Sequence, residues 1–580
     1  MKKSGANILV ECLANQGTKK VFGVPGESYL SVINALIDYS SQIQWIGARQ
    51  EGGASFMAAA YAQLTGKTGI CFVTRAPGAT NASIGIHTAF QGSIPLILFI
   101  GQVSSNITGR EAFQELDYKE MYSGMAKWVY EIQDVDRIPE ILSRAFNIAN
   151  NGRPGPVVIS LPEDILSLLS DANSSPKVNI IEPSVSEEVV LNVKEKLLKS
   201  KKPIFIVGGT RWSKEGIKQL NSFIENNNLP VISSFRRQDI FDNYSSSFTG
   251  VCSFINTPKL NEALNQADLI FAIKTLLGDI TTSNYNLWIN QIENRVIIQS
   301  HVSLLEIGKV YQVDLAINSG PNYLALKLNN LGKIGDWSSH TRLLRSHYIN
   351  GLEVKDQPGH VDMGKIINYL QDKLPEDVIL TNGAGNFSTW SNLLFKFGKN
   401  ARLLAPTSGA MGFGLPAAIS AKITNPNKTV ICFTGDGDFQ MNMAELGTAL
   451  QYEAFPIILL LNNSSYGTIR MHQEKSYPDR VYATDIENPD YNMIAKAYGV
   501  PSYKVGKTEE FQEYFDQAIK SKKGALIEII LDIQSISPYK TLKEINDIEA
   551  LDESDLVEVE KTAATKEASR KLAFARGEYT

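Results

Sequence analysis

Thr429-Val430-Ile431-Cys432-Phe433-Thr434-Gly435-Asp436-Gly437-Asp438 is the stretch on which the fold turns. Its first six residues are apolar or β-branched and form a short run, the pattern of a parallel strand buried on both faces. Such a strand delivers Gly435 and Asp436 at its carboxyl end, where open α/β sheets bind ligands. The glycines at 435 and 437 let backbone come close to a phosphate. Asn442, with Glu445 three residues on, reads as a helix start of the capping-box kind, and the helix is expected to run to about Tyr452. Pro456-Ile457-Ile458-Leu459-Leu460-Leu461 then reads as a second buried strand ending at Asn462-Asn463. Two strand ends thereby face one site. Singly, the Gly-Asp-Gly is a strand-to-helix turn and the asparagine pair a loop, because these residues dominate turns for local reasons. Together they have the layout of a magnesium-diphosphate clamp. A hard cation wants near-octahedral oxygen ligands and shares them between one or two protein groups, water and the phosphates of its ligand. Asp436 and the Asn463 side-chain oxygen suit that role.

Working outward, 580 residues are too many for one core and suggest three to four domains. The formal charge of −5 with 43% hydrophobic residues is an ordinary soluble balance, giving no electrostatic reason to expect nucleic acid or membrane as a partner. No apolar run reaches the ~20 residues of a spanning helix, and Met1-Lys2-Lys3-Ser4-Gly5 leads into a helix rather than a signal segment. Cys12, Cys71, Cys252 and Cys432 are widely spaced in apolar contexts, as reduced core residues are. The expected location is cytoplasmic. Short apolar strands alternating with helical segments predict an α/β chain of three doubly wound parallel-sheet domains, at roughly residues 1–168, 185–335 and 358–540. A polar linker from Leu169 to about Pro183 separates the first two. The charged stretch at about 541–580 reads as a helix or a tail and is assigned no chemistry.

The spacing from Gly-Asp-Gly to Asn-Asn resembles the thiamine diphosphate binding motif. Upstream, Ile46-Gly47-Ala48-Arg49-Gln50-Glu51-Gly52-Gly53-Ala54 resembles the segment that carries the activating glutamate in the acetolactate synthase, pyruvate oxidase and 2-oxo acid decarboxylase superfamily. Val21-Phe22-Gly23-Val24-Pro25-Gly26, Pro77-Gly78-Ala79-Thr80-Asn81, Gly152-Arg153-Pro154-Gly155-Pro156-Val157 and Gly409-Ala410-Met411-Gly412-Phe413-Gly414 look like acetolactate synthase large-subunit motifs, in that family's order. The resemblance implies a thiamine diphosphate- and Mg²⁺-dependent carboligase acting on a pyruvate-like 2-oxo acid. A lyase or simple decarboxylase using the same cofactor is the alternative. It implies that Glu51 activates the aminopyrimidine and that Met411 buttresses the bent cofactor, with the Gly409 carbonyl and Met411 N–H at the pyrimidine edge. Asp436, Asn463 and the Ser465 carbonyl would hold the metal. The N–H groups of Gly437, Asp438 and Gly467 would lie near the phosphates, with Gly435, Pro25, Asn81, Gly385 and Asn386 completing the cofactor site. Glutamate and clamp lie in different domains, so the resemblance implies a site between two subunits of a homodimer or dimer of dimers.

The chain also departs from that family. Acetolactate synthases usually read Thr-Ser-Gly-Pro-Gly where this chain has Thr74-Arg75-Ala76-Pro77-Gly78, carry lysine where it has Glu163, and have glycine where it has Glu27. Their selectivity tryptophan aligns with His472, which argues against an acceptor pocket shaped for 2-oxobutyrate. Arg75 is a carboxylate clamp or an ion-pair partner. Glu27 either protonates or orients a bound intermediate, or is a helix N-terminal carboxylate favoured by the dipole. Ser28, Phe113, Gln114, Ile469, Arg470 and His472 are expected around the substrate. The middle block binds FAD in acetolactate synthases, and Val207-Gly208-Gly209 follows a strand. The Gly-x-Arg element of flavin-binding relatives is replaced by Ala272-Ile273-Lys274-Thr275, so FAD rests on the resemblance alone.

Overall fold

The computed structural model describes residues 2–254, 256–288 and 295–545. The reading of 541–580 as a helix or tail therefore falls, beyond residue 545, outside the described residues. Three six-stranded sheets organise the chain, and every strand pair within them is parallel. The first runs Gln44–Gly47, Lys20–Gly23, Gly69–Val73, Leu96–Gln102, Pro156–Pro162, Trp128–Glu131 across its width. The third runs Arg402–Leu404, Ile379–Asn382, Val430–Gly435, Ile457–Asn462, Ala525–Ile530, Ser502–Val505. Counted within each domain, both have the strand order 2-1-3-4-6-5, so one topology is used twice. The central sheet, Phe248–Val251, Val231–Ser233, Pro203–Val207, Leu269–Ile273, Val296–Ser300, Leu315–Ile317, has the order 3-2-1-4-5-6 of dinucleotide-binding folds. The expected three-domain α/β architecture is the observed one.

Central strands of the first and third sheets are buried along their whole length, which is why they read as unbroken apolar runs. The helix Glu51–Thr65 joins these two domains. Its sequence EGGASFMAAAYAQLT is small on every side, and Gly52 through Ala62 are all buried. It packs on the helix Gly414–Thr424, with Phe56 and Phe413 edge-on at 5.3 Å and the Ser420 hydroxyl donating to the Met57 carbonyl at 2.8 Å. One apolar core consequently runs through both domains. The linker is tied down: Leu169–Ser170 pairs antiparallel with Lys3–Ser4, and Gln16 donates to the Pro176 carbonyl at 2.8 Å while accepting the Val178 N–H at 2.9 Å.

One local expectation fails. Asn442 and Glu445 do not form a capping box on a continuous helix. The segment is broken into the helix Asp436–Gln440, a 3₁₀ turn at Met443–Glu445 and the helix Leu446–Gln451. The Asn442 side chain donates to the Gly412 carbonyl at 2.9 Å, and the Glu445 carboxylate, 0% exposed, accepts the N–H groups of Arg49 at 3.1 Å and Gln50 at 3.0 Å. Both capping partners are recruited by other segments, and these tertiary bonds displace the local one.

Candidate cofactor and substrate site

In an order beginning 2-1-3, the ligand crevice opens between strands 1 and 3 at their carboxyl ends. In the third domain these are Ile379–Asn382 and Val430–Gly435, which lead into Gly383-Ala384-Gly385-Asn386 and Asp436. Asp436 opens its short helix and is only 2% exposed. Its carboxylate accepts the Gly437 N–H at 3.0 Å and the Asn488 amide at 2.7 Å. Burial pushes its pKa up, with those two bonds pulling the other way, so a cation beside it would restore the favoured charged form. Asn463 follows the neighbouring strand, and its side-chain oxygen accepts the Ser465 N–H at 3.2 Å. The Ser465 carbonyl accepts the Gly467 N–H at 2.8 Å, which occupies the donor expected near the phosphates. Gly467 instead makes room: a Cβ there would lie 2.6 Å from the Asn386 oxygen and 2.9 Å from the Asn463 amide nitrogen. The donor set is oxygen throughout, and a carbonyl has a second lone pair, so these residues fit Mg²⁺ shared with a diphosphate. Among the described residues no cluster of three His, Cys, Asp or Glu side chains could hold a metal without such help.

Asp438 does more than its backbone role in the sequence reading. Its side chain, 2% exposed, accepts the Gly412 N–H at 2.9 Å, the Ala384 N–H at 3.0 Å and the Thr434 hydroxyl at 2.8 Å. Burial pushes its pKa up to about 6 against those bonds. It thereby ties the Gly385-Asn386 loop and the Gly409–Gly412 loop to the clamp, and a Cβ on Gly383 would strike its carboxylate. Gly409 and Gly412 have φ of +70° and +78°, which turn the Met411 loop back over the crevice. No hydrogen bond among the described residues takes the Gly409 carbonyl or the Met411 N–H, and Met411 is half-buried. A donor-acceptor heterocycle edge fits there.

Asn488 escaped the sequence reading. Besides Asp436 it donates to Asn462 at 2.9 Å and accepts from Gln440 at 3.0 Å and Tyr491 at 2.8 Å, while Asn462 donates to Glu528 at 2.8 Å. No motif marks it, because it lies 52 residues beyond Asp436.

In the first domain the crevice lies between Lys20–Gly23 and Gly69–Val73, with Gln44–Gly47 beside the former. Glu51 is the first residue of its helix, and its carboxylate accepts the Asn81 amide at 2.9 Å. A Cβ on Gly78 would lie 3.4 Å from that carboxylate and 3.2 Å from the Thr74 methyl, so Gly78 is wedged between Glu51 and the Thr74-Arg75 segment. Gly26 approaches Thr74 as closely, leaving Pro25 exposed and Ser28 bonded to the Thr74 hydroxyl at 2.9 Å. Arg75 resolves the two readings toward pairing: its guanidinium meets Glu27 at 3.2 Å and Glu163 at 3.1 Å. The Gln114 carbonyl accepts the Ala76 N–H at 3.2 Å, and Phe113 is exposed beside it. Ile469, Arg470 and His472 lie on the helix Gly467–Ser476 of the third domain, where Arg470 pairs with Glu474 at 2.6 Å. Among the described residues no hydrogen bond or ion pair joins them to the Arg75 group.

In the central domain the glycine pair is closely packed. Gly208 and Gly209 sit at the switch point of the sheet, yet a Cβ on Gly209 would strike Lys274 and one on Gly208 would strike Ser234. The close approach those glycines permit is used here by the Ser234 and Lys274 side chains.

Comparison with known proteins agrees with this geometry. Family models of the thiamine pyrophosphate enzymes match in sequence order: the N-terminal TPP binding domain over residues 3–121, the central domain over 190–327 and the C-terminal TPP binding domain over 383–529. The chain is 34% identical to the acetolactate synthase large subunit of Buchnera aphidicola subsp. Schizaphis graminum (strain Sg), covering 92% of this chain and 94% of that one. It is 30% identical to the acetolactate synthase isozyme 2 large subunit of Escherichia coli (strain K12), covering 91% and 96%. The acetolactate synthase large subunit of Lactococcus lactis subsp. lactis (strain IL1403) is 31% identical, covering 91% and 92%.

Proposed function

The chain belongs to the thiamine pyrophosphate enzyme family, and from that premise we propose that it decarboxylates a pyruvate-like 2-oxo acid and joins the remaining acyl carbon to a second carbonyl, using thiamine diphosphate held through Mg²⁺. When bound, the cofactor supplies the electron sink that a 2-oxo acid needs to lose CO₂. The chain's own groups do the rest. Asp436, the Asn463 oxygen and the Ser465 carbonyl hold the cation, with Asn488 aiming Asp436. The backbone of Gly435 and Asp438 would face the phosphates, Gly437 letting it come close while its N–H is held by Asp436, with Gly385, Asn386 and Gly467 forming the opposite wall. The Gly409 carbonyl and Met411 N–H would hold the pyrimidine edge, with the Met411 side chain packed beside it. Glu51 exchanges a proton with the far ring nitrogen while Asn81 orients its carboxylate.

The reading rests on one observation: the Glu51 carboxylate and the oxygen groups of Asp436, Asn463 and Ser465 both lie by the carboxyl ends of strands in two sheets with the same strand order. Relatives named acetolactate synthase support carboligation as the outcome. Glu51 and Asp436 belong to different domains, and we place each active site between two chains of a homodimer or dimer of dimers. Assay of purified protein with thiamine diphosphate, Mg²⁺ and a panel of 2-oxo acids, with product identification, tests the reading. Coupled products are expected. Free aldehyde as the sole product from every donor would replace carboligation by simple decarboxylation.

A further inference from the structure

Three charged residues from three strand ends converge at the first-domain switch point. Glu27 follows Lys20–Gly23, Arg75 follows Gly69–Val73 and Glu163 follows Pro156–Pro162. Arg75 is 9% exposed, with Nη1 on Glu27 at 3.2 Å and Nη2 on Glu163 at 3.1 Å, while its Nε–H has no partner. Glu163 also accepts the Ser104 hydroxyl at 3.2 Å. The Glu27 side chain is 67% exposed. Contact runs from there to the activating carboxylate: Gly26 packs on Thr74, and Gly78 is wedged between Thr74 and Glu51.

Two carboxylates around one guanidinium leave this corner with a charge of −1, and both terminal nitrogens of Arg75 are committed. A ligand carboxylate would have to displace one glutamate from Arg75 and approach the other. An ionised carboxylate accepts hydrogen bonds and donates none, so the exposed face of Glu27 calls for a ligand that brings an O–H or N–H. Resting on the carboligase reading above, we infer that the acceptor is an uncharged, hydroxyl-bearing aldehyde and not a second 2-oxo acid anion. Glu27 receives its hydroxyl, and Arg75 and Glu163 are positioning residues that fix Glu27. The balanced reaction is RCOCOO⁻ + R′CHO + H⁺ → RCOCH(OH)R′ + CO₂. The carboxyl C–C bond breaks, a new C–C bond joins the acyl and aldehyde carbons, and the proton ends on the former aldehyde oxygen.

The test is a partition experiment on the holoenzyme given pyruvate with equimolar glycolaldehyde, reading CO₂ and both coupled products. Wild type is expected to favour the glycolaldehyde adduct over acetolactate by at least about tenfold. Glu27→Gln should shrink that ratio, Glu27→Asp should retain most of it, and Glu163→Lys should move it toward acetolactate by about tenfold or more. A structural defect alone would lower CO₂ release without changing the ratio. Calorimetric titration with propionate, an unreactive carboxylate probe, reads the same feature without turnover: Glu163→Lys should bind it more tightly than wild type. CO₂ release with acetolactate dominant in wild type, and a ratio indifferent to the variants, would overturn this inference and leave the carboligase reading standing. Absence of CO₂ release from any 2-oxo acid would overturn both.

Discussion

Asp436 and Glu51 are single carboxylates with different tasks, and their substitutions should fail differently. Asp436→Asn keeps the shape beside Asn488 but removes the only charge among the proposed metal groups, so calorimetry should show loss of joint thiamine diphosphate and Mg²⁺ binding. Affinity like that of wild type would remove Asp436 from the metal site. Asn488→Ala leaves the carboxylate in place without its orienting donor, and a weakening of about 10–100-fold is expected, as for other outer partners of metal ligands. Glu51→Gln should retain the cofactor and slow exchange of its C2 proton, followed by NMR, because glutamine keeps the hydrogen bond and cannot shuttle the proton. Unchanged exchange would show that another group does this work. The placement of Asp436, Asn463 and Glu51 was legible because each sits where a short apolar strand ends or a helix begins, and local pattern locates such points. The partners that aim them were not. Asn488 and the Asp438 side chain act through contacts between segments far apart in sequence, and nothing in their neighbours announces it.

Elements were legible where one signal dominated. The strands Val430–Gly435 and Ile457–Asn462 match their expected positions within a residue, since burial on both faces leaves an unbroken apolar run. Asn442 to Tyr452 was misread because a local capping pattern competes with two tertiary demands. Glu445 serves the start of the Glu51–Thr65 helix, so Glu445→Ala would take the acceptor from the part-buried N–H groups of Arg49 and Gln50, at about 1 kcal/mol each. Calorimetry should show a lower unfolding temperature, and C2 proton exchange should slow as Glu51 loses its anchor. Full stability would mean that water replaces the carboxylate. Just past the carboxyl end of the interior strand Leu269–Ile273, burial pushes the Lys274 amine down to about 7, helped by the nearby Arg211 charge. In the unfolded chain a lysine titrates near 10.4. Between those values the unfolded state holds the extra proton, so this group makes stability rise with pH from about 7 to 10, at up to about 1.4 kcal/mol per unit. Below pH 7 its buried charge is a standing cost. Lys274→Met should therefore melt higher than wild type at pH 7, with the gap narrowing toward pH 10 in thermal scans. A constant gap would place the effect in packing instead of charge.

At the scale of the whole molecule, the first and third domains share one strand order, and on the proposed reading each carries one half-site. The Glu51–Thr65 helix locks them into a single core through Phe56, Met57 and Glu445. That rigidity matters if each half-site closes on a partner chain, because the activating carboxylate of one site is then fixed to the clamp of the other. Trans assembly makes a distinctive prediction. Glu51→Gln and Asp436→Asn are each expected to be inactive as homodimers. In a mixed dimer built between chains, one site receives both defects and the other receives intact Glu51 from one chain and intact Asp436 from its partner. If subunits exchange freely, half of the dimers are mixed and half of their sites are intact, so activity should return to about a quarter of wild type. Assembly within one chain gives every site one defect and no recovery. Co-refolding the two variants at equal concentration, with dimer content checked by analytical ultracentrifugation and CO₂ release as the readout, separates the cases. Recovery must also fall on dilution below the dimer dissociation constant, since an intact site would then exist only while two chains remain together.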